Sequence, residues 1–412
     1  MTGASIPLKP KVRQVEPMWV EHMGQRFLYL RDPIAMSEST IMLPSYLAPI
    51  VVFLDGTRDI AEIRAAMALR AGLDLSEDDL RSVIRQLDQA LMIENGEFRR
   101  AHRRAVESFR RGEFRPPSHA GAVYPESADQ LHEAISNWCD LFQPDTPVSR
   151  PEGNLVGMLS PHIDYNRGHA TYARLWQQAQ DDLDSIELVI VLGTDHQGGL
   201  GRVTPTFQSY HTPYGTLPTD SAVVEELAQV IGKSAFDEEL HHKSEHSIEL
   251  ALVWMHHFMR EREVATLPIL CGSFHHFVGG DTSPSDDGSL TGVLDVLRRA
   301  MERRNTLVIA AGDLAHVGPA FGDAMPLDDL AKTKLKTEDD VSIAAIRSGN
   351  PQDFLDISVA ESDARKICGL SPIYLMLSLL EGATGVHMGY DQCPADHNGG
   401  SVVSIAGALL YA

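Results

Sequence analysis

The segment LVIVLGTDHQGG, residues 188–199, decides the fold class of most of this chain. Its five consecutive apolar residues predict a strand buried on both faces, as strands are in a sheet covered by helices. Gly193 ends the apolar run, and Thr194, Asp195 and His196 follow it. Because open α/β sheets bind ligands at the carboxyl ends of their strands, an aspartate and a histidine at this point indicate a functional site.

Buried strands alternate with helices from residue 118 onward. This alternation predicts an α/β domain with a sheet that helices cover on both faces. The polar, glycine-rich segments 279–289 and 387–400 are expected to be surface loops. The predicted strands are 155–159, 186–192, 265–270, 306–311 and 402–410, and the predicted helices include 127–141, 222–231 and 247–259.

Two other predicted strands also end in histidine and aspartate. LVGML is followed by Ser-Pro-His162-Ile-Asp164, and TLVIAAG is followed by Asp313-Leu-Ala-His316. One histidine after a strand is usually a loop residue, but three such strand ends predict a common site. Neutral imidazole is the commonest metal ligand in proteins, and a nearby carboxylate orients its ring.

Two further segments carry candidate site residues. EHSIE, residues 245–249, begins just before an amphipathic helix, and we expect His246 to belong to the site. For His241 and His242 a site role and a solvated helix face both stay open. Cys368 lies just before a strongly apolar helix that is predicted to begin near residues 371–372, a position that favours a thiolate.

Composition and charge exclude several classes of protein. The formal net charge of −22 argues against a nucleic-acid partner, because phosphate contacts require a basic surface. No apolar run approaches the roughly 18 residues of a membrane span, so no membrane partner is expected. The few cysteines form no CxxC pair, which suits a reducing compartment, and we expect a cytoplasmic protein. The cysteines are Cys139, Cys271, Cys368 and Cys393.

The first 115 residues differ from the rest of the chain in charge. They carry 17 basic and 16 acidic residues, whereas the remainder carries 18 basic and 41 acidic residues. With the proline and glycine residues of RRGEFRPPSHAG, this shift predicts two domains, residues 1–115 and 116–412. The first is expected to be small and mostly helical and to end in a basic linker helix. Thr57 or Asp59 would cap one of its helices, and Ser76 another.

Eight segments of residues 116–412, in order along the chain, resemble those of the Memo family, also called AmmeMemoRadiSam system protein B. The resemblance implies an α/β fold similar to that of class III extradiol dioxygenases, which use non-haem Fe(II). The segments are SHAGAVYP, SPHIDY, LGTDHQG, TPYGTLPTD, EHSIELAL, GDLAHVG, ICGLSPI and SVVSIAGALL.

The resemblance also implies which residues form the site. Two imidazoles and one thiolate would leave open coordination positions, which is typical of a catalytic metal centre. The soft thiolate shifts the preference toward copper, zinc or a more reducible iron, and with the implied oxidoreductase chemistry we expect one transition-metal ion, iron or copper in preference to zinc. The implied metal ligands are His162, His196 and Cys368, and the implied catalytic residues are His246, Asp313 and His316, with a histidine as acid or base and Asp313 orienting a ring.

Two carboxylates depart from the family pattern. Asp164 and Asp195 stand where the family commonly has other residues. If both line the pocket, their charge disfavours an anionic substrate, and we expect a neutral or cationic one. The alternative for Asp195 is that it caps the turn that follows through its own backbone. Both interpretations stay open on the sequence alone.

Residues 25–100 resemble the PqqD-like family of small winged-helix domains. The resemblance rests on FLDGTRDIAEI, residues 53–63, and LDQALMIENG, residues 87–96. Some members of that family bind the leader segment of a peptide substrate by adding a strand to a sheet edge. The N-terminal domain is therefore expected to bind a peptide or protein partner.

These expectations together favour a metal-dependent oxidoreductase, dioxygenase-like, that acts on a small organic or peptide-borne substrate. Two alternatives belong to other classes. One is a non-catalytic module that binds metal or peptide in the same pocket, and the other is a zinc-dependent hydrolase that uses the same ligands. A shared fold does not decide between them, because function depends on the site.

Overall fold

The computed structural model of the chain describes residues 6–412 except residues 35, 38, 143–148 and 281. The chain divides into two compact units, Met1–Arg111 and Gly112–Ala412. Within these described ranges, every helix is too short or too polar to cross a lipid bilayer.

The first unit combines a three-stranded antiparallel sheet with helices. The sequence prediction lacks this sheet, because the turn between its first two strands consists of Met23 and Gly24, both with positive φ. Such turns are usually signalled by Asn-Gly or Asp-Gly, and methionine gives no such signal. The strands are β1 Glu16–His22, β2 Gln25–Arg31 and β3 Ile41–Pro44, and the α-helices are α1 Pro49–Phe53, α2 Ile60–Ala66, α3 Glu77–Gln89 and α4 Gly96–Arg111.

The helix starts in this unit follow the predicted capping chemistry. Of the two candidates for the first cap, Asp59 accepts a hydrogen bond from the Glu62 backbone N–H, and the Glu62 side chain accepts from the Asp59 N–H. Ser76 accepts from the backbone N–H of Asp79. These bonds satisfy N–H groups that have no partner inside the helix, and they confirm Asp59 and Ser76 as caps.

The second unit is an α/β fold that confirms the predicted class and all five predicted strands. Its helices are α5 Ala128–Leu141, α6 Tyr165–Ala179, α7 Ser221–Ile231, α8 Ser247–Met259, α9 His275–Val278, α10 Gly288–Arg303, α11 Asp329–Arg347, α12 Pro351–Ala360 and α13 Leu370–Leu379. Its strands are β4 Leu155–Ser160, β5 Leu188–Thr194, β6 Val203–Pro205, β7 Tyr210–Thr212, β8 Gly215–Leu217, β9 Ala265–Cys271, β10 Thr306–Ala311, β11 His316–Val317, β12 Thr384–Pro394 and β13 Val402–Tyr411.

The large sheet has apolar cores on both faces. Its strand order is β11-β13-β4-β10-β5-β9-β6, with β12 also paired to β13, and β4, β10, β5 and β9 are parallel. Along β5, Leu188, Ile190 and Leu192 pack into one hydrophobic cluster, whereas Val189 and Val191 pack into another. Because side chains alternate across a strand, a continuous apolar run is what two covered faces require.

The prediction of a surface loop over residues 387–400 is wrong for its first half. Residues 384–394 form β12, which pairs antiparallel with β13 along its whole length. Only part of β12 is buried, so the segment lacks the continuous apolar run that identified the other long strands. Its polar residues instead occupy exposed or half-buried positions of a strand at the side of the sheet.

Three adjacent parallel strands end at the same level of this sheet. Ala311, the last residue of β10, pairs with Ser160 of β4 on one side and with Gly193 of β5 on the other. The chain segments that follow these strands therefore leave the sheet side by side. The register of the sheet brings together residues that are more than 100 positions apart in the sequence.

Arg115 belongs to the second unit, although the sequence prediction ends the first domain at this residue. Its guanidinium is fully buried and forms an ion pair with Glu249 of α8. The same carboxylate accepts hydrogen bonds from Ser118, from the backbone N–H of His119 and from the Tyr124 hydroxyl. These contacts fix the segment that follows Arg115 onto the start of α8.

We expect Arg115→Ala to lower the free energy of unfolding by about 3–5 kcal/mol, because it leaves the buried Glu249 carboxylate without its cation. Urea denaturation of the full chain measures the loss. Lys336→Ala is the control, since Lys336 forms an exposed ion pair with Asp340, and such a pair contributes about 1 kcal/mol or less. Equal, small losses in the two variants would contradict the role given to Arg115.

Candidate metal centre

His162 lies two residues after the end of β4 and is held by three separate contacts. Its backbone N–H donates to Asp313 Oδ1 at 2.9 Å, and its ring Nδ1 lies 3.0 Å from the carbonyl oxygen of Ala311. A carbonyl oxygen only accepts, so Nδ1 carries the proton and Nε2 is left to face the site. Cys368 Sγ lies 3.3 Å from this Nε2.

Close backbone packing brings Cys368 to the strand ends. A Cβ atom built on Gly312 would lie 2.6 Å from the Cα atom of Gly369, and one built on Gly369 would lie 2.7 Å from the Asp313 carbonyl oxygen. Only glycine allows the two backbones to approach this closely. The Gly369 N–H donates to that oxygen at 3.0 Å, and this contact anchors Cys368, the residue directly before Gly369.

His162, His196 and Cys368 form a compact group of potential metal ligands. One ligand atom from each of them lies within 4.8 Å of the other two. Two ligand atoms on a tetrahedral transition-metal ion lie about 3.5 Å apart, which is close to the spacing of His162 Nε2 and Cys368 Sγ. Imidazole and thiolate suit iron, copper or zinc rather than magnesium or calcium. The residues present therefore fit a transition-metal ion.

The electrostatics of this group favour a thiolate at Cys368. Burial alone would raise the pKa of the thiol, but the positive charges of His162 and His316 and hydrogen bonds from His162 and His196 hold the pKa well below its usual value. Burial disfavours a charged His162, yet Asp313 and Cys368 raise the pKa of His162 to about 9. Cysteine binds metals as the thiolate, so the site presents the required form.

The structure places the predicted residues Asp313 and His316 beside the group rather than in it. Asp313 is buried, binds the backbone of His162 and has its Oδ2 3.7 Å from His162 Nε2. His316 is half-buried on β11, with its Nδ1 3.2 Å from the Leu314 carbonyl oxygen and its ring against Phe321. Asp313 thus supports a proposed ligand, and His316 adds positive charge near the thiolate.

His246 lies with His162 and His196 in a triangle of imidazole rings. The ring centroids of His246 are 5.1 Å from His162 and 4.8 Å from His196, and those of His162 and His196 are 5.1 Å apart. About a third of each of the His196 and His246 side chains is exposed. In the described residues, His246 joins His196 and Glu245 in a second group of potential ligands, not the group that contains Cys368.

Two further residues contact this triangle of rings, and the sequence prediction gives neither of them a role. Glu245 is buried, and its carboxylate lies 3.0 Å from His196 Nδ1 and 3.1 Å from His246 Nδ1. His119, from the segment SHAGAVYP, packs its ring edge-on against His246 at 5.8 Å. The Glu-His pair directly before a helix is the sequence signal that could have identified Glu245.

The two carboxylates that depart from the family pattern have different surroundings. Asp164 caps α6 and forms an ion pair with Arg167 at 2.6 Å, so its charge is already compensated. Asp195 accepts from the Gln197 backbone N–H at 3.0 Å, as a turn cap does, and its other oxygen lies 2.9 Å from His241 Nδ1.

Asp195 also lines a cavity of about 200 Å³, so the two interpretations of this residue are compatible. The cavity has His196 and Cys368 in its wall. Its other lining residues include the apolar side chains of Phe274, Ile367 and Leu370. Asp195, Glu238 and His241 form a third group of potential ligands.

His242, the second histidine whose role the sequence leaves open, is part of the core. His242 is fully buried between the Tyr210 hydroxyl, 2.7 Å from its Nδ1, and the Thr204 carbonyl oxygen, 2.9 Å from its Nε2. Burial lowers the pKa of His242 to about 4. A neutral ring with both nitrogens satisfied has no free atom for a ligand.

Comparison with known proteins identifies one family. The family model described as "Memo-like protein" matches residues 115–409. A MEMO1 family protein of Aquifex aeolicus is 25% identical over 412 residues, which cover 98% of this chain and all of the relative. The protein memo-1 homolog of Caenorhabditis elegans is 27% identical over 272 residues, which cover 65% of this chain and 71% of the relative. A MEMO1 family protein of Thermus thermophilus is 22% identical over 330 residues, 80% of this chain and 92% of the relative.

We expect His162→Ala and Cys368→Ala each to lower metal occupancy about 10-fold or more, because each removes a proposed ligand. Occupancy is measured by elemental mass spectrometry on protein isolated without added metal. Cys271→Ala and His242→Asn are matched controls, since both wild-type side chains are buried outside the three groups of potential ligands. An unchanged metal-to-protein ratio in the His162→Ala and Cys368→Ala proteins would show that these residues are not metal ligands.

Proposed function

This chain belongs to the Memo family, and on that basis we propose that it is a metal-dependent oxidoreductase, dioxygenase-like, that acts on a small organic or peptide-borne substrate. The observation that carries the proposal is the close spacing of the ligand atoms of His162, His196 and Cys368. Three protein ligands leave coordination positions for substrate or oxygen. The thiolate and the imidazoles suit iron, copper or zinc, and the proposed redox chemistry requires iron or copper, because zinc has no redox chemistry.

The protein's own part in this chemistry begins with the ligands. When bound, iron or copper would supply Lewis acidity and one-electron redox chemistry. The Ala311 carbonyl oxygen and the backbone bond to Asp313 hold His162 in one orientation. A ligand that is fixed before the metal arrives costs little conformational entropy on binding. The depressed pKa of Cys368 favours its thiolate, the form that binds metals.

Proton transfer in the proposed reaction belongs to residues beside the ligands. His246 is part-exposed and its ring lies 5.1 Å from that of His162, so it can reach a molecule bound next to the metal. We assign it the role of acid or base. Asp313 orients His162, and His316 stabilises the negative charge of Cys368.

The cavity beside His196 and Cys368 is the proposed substrate site. Its volume of about 200 Å³ suits a small molecule or one side chain of a peptide. Phe274 and Ile367 provide an apolar wall, whereas Asp195 provides a carboxylate. The described residues that line it include no lysine or arginine, which supports a neutral or cationic substrate over an anionic one.

For the N-terminal unit we propose a PqqD-like role in binding a peptide or protein partner. β1 is an end strand of its sheet, and an added strand could pair with it through main-chain hydrogen bonds. The alignment with the Aquifex aeolicus relative extends over 98% of this chain, so that relative has a counterpart of this unit. The unit therefore precedes a Memo-like region in at least one other protein of the family.

The test is turnover by metal-loaded protein. Separate samples receive Fe(II), Cu(II) or Zn(II) and are incubated with a set of small phenols, amines and short peptides, with and without oxygen. Product is detected by mass spectrometry, and oxygen uptake is recorded. We expect product that depends on both oxygen and iron or copper, and a loss of at least about 100-fold in His246→Ala, as for other general acid–base groups.

Other outcomes assign the protein to the alternative classes. Product formed with Zn(II) under anaerobic conditions would identify a zinc hydrolase and overturn the redox proposal. Tight metal binding without turnover of any of these compounds would favour the non-catalytic module.

A further inference from the structure

Glu245 occupies the junction between two parts of the site. It precedes α8, and its buried carboxylate lies between His196, in the segment after β5, and His246, the N-cap residue directly before α8. Oε2 lies 3.0 Å from His196 Nδ1, and Oε1 lies 3.1 Å from His246 Nδ1. One carboxylate therefore holds two histidine rings, one oxygen to each.

Backbone N–H groups fix the carboxylate itself. Oε2 also accepts from the N–H of His196 at 3.2 Å, and Oε1 accepts from the N–H groups of His246 at 2.7 Å and Ser247 at 3.0 Å. A carboxylate that binds the free N–H groups at a helix start is stabilised as the anion.

The chemistry of the carboxylate decides the orientation of both rings. An ionised carboxylate only accepts hydrogen bonds, so the Nδ1 atom of each ring must carry a proton. The other nitrogen, Nε2, then points away from Glu245. In His196 this leaves Nε2 to bind a metal ion together with His162 and Cys368. In His246 it leaves Nε2 for hydrogen bonding and proton transfer.

We propose that Glu245 is a positioning residue that fixes His196 as a metal ligand and His246 as a hydrogen-bonding and proton-transfer group beside the metal. The inference rests on the proposed function. It adds a division of labour between the two histidines: Glu245 orients both rings, and only His196 binds the metal ion. His246 is absent from the compact ligand group, as this division requires.

Metal binding tests the proposal in the full-length protein, with Co(II) alone as the probe because its visible spectrum reports coordination geometry. Glu245→Gln should weaken Co(II) binding about 10- to 100-fold and alter the spectrum, because a glutamine cannot accept from both rings and all three N–H groups. Glu245→Asp, which keeps the charge, should restore part of the affinity.

Glu249→Gln is the matched control. Glu249 is buried one turn further along α8, but it binds Arg115 and no histidine ring. We expect this variant to lose thermal stability and to keep its Co(II) affinity within about 2-fold. If Glu245→Gln and Glu249→Gln lower stability alike and both leave Co(II) affinity and spectrum unchanged, Glu245 is only structural and the proposal is overturned.

The histidine variants test the division of labour. His196→Ala should weaken Co(II) binding at least about 10-fold, whereas His246→Ala should leave it nearly unchanged. Equal losses in the two variants would make His246 a ligand and overturn the separate roles.

A measurement without metal separates this inference from the proposed function. In protein labelled with ¹⁵N-histidine, nuclear magnetic resonance should show Nδ1 protonated in both His196 and His246, and Glu245→Gln should remove that proton from at least one ring. An unprotonated Nδ1 in the wild-type protein would overturn the positioning role even if metal and turnover are found. Correct protonation without turnover would leave Glu245 as assigned and reject the oxidoreductase.

Discussion

Backbone hydrogen bonding between three parallel strands is the constraint on which the site depends. Ala311 pairs with both Ser160 and Gly193, so the segments after β4, β10 and β5 start from one level. His162 and Asp313 each follow two residues later, and His196 follows three residues later. A slip of one residue in any of these strands would also exchange its two buried faces, and the two apolar cores therefore hold the register.

The start of α8 links the scaffold to the chemistry through two carboxylates one turn apart. Glu249 faces Arg115, and Glu245 faces the rings of His196 and His246. Arg115 also donates to the Glu245 carbonyl oxygen at 2.9 Å, so the same guanidinium holds both residues in place. Buried charges are costly unless paired, and here the pair at Glu249 stabilises the fold, whereas Glu245 contacts the rings of the site.

Periodicity predicted the strands of the large sheet because their apolar runs are continuous, and the strand ends then predicted which histidines come together. The parts that the sequence missed depend on partners far along the chain. β12 is identified by its pairing with β13, and Glu245 by its distance from two rings. Asp164 is a carboxylate two residues after His162, as a site residue would be, but in the structure it caps α6. Local sequence can mark such residues as candidates, but it does not show which distant residues they contact.

The strand order has a consequence for biosynthesis. β13, residues 402–411, lies inside the sheet between β11 and β4, and it forms hydrogen bonds to β4, the strand that precedes His162. Cys368 lies 206 residues after His162. A nascent chain that has exposed only β4, β5 and β10 has neither the thiolate nor the neighbour that completes β4. Because domains fold as units during translation, the candidate metal centre is complete only after residue 411 has left the ribosome.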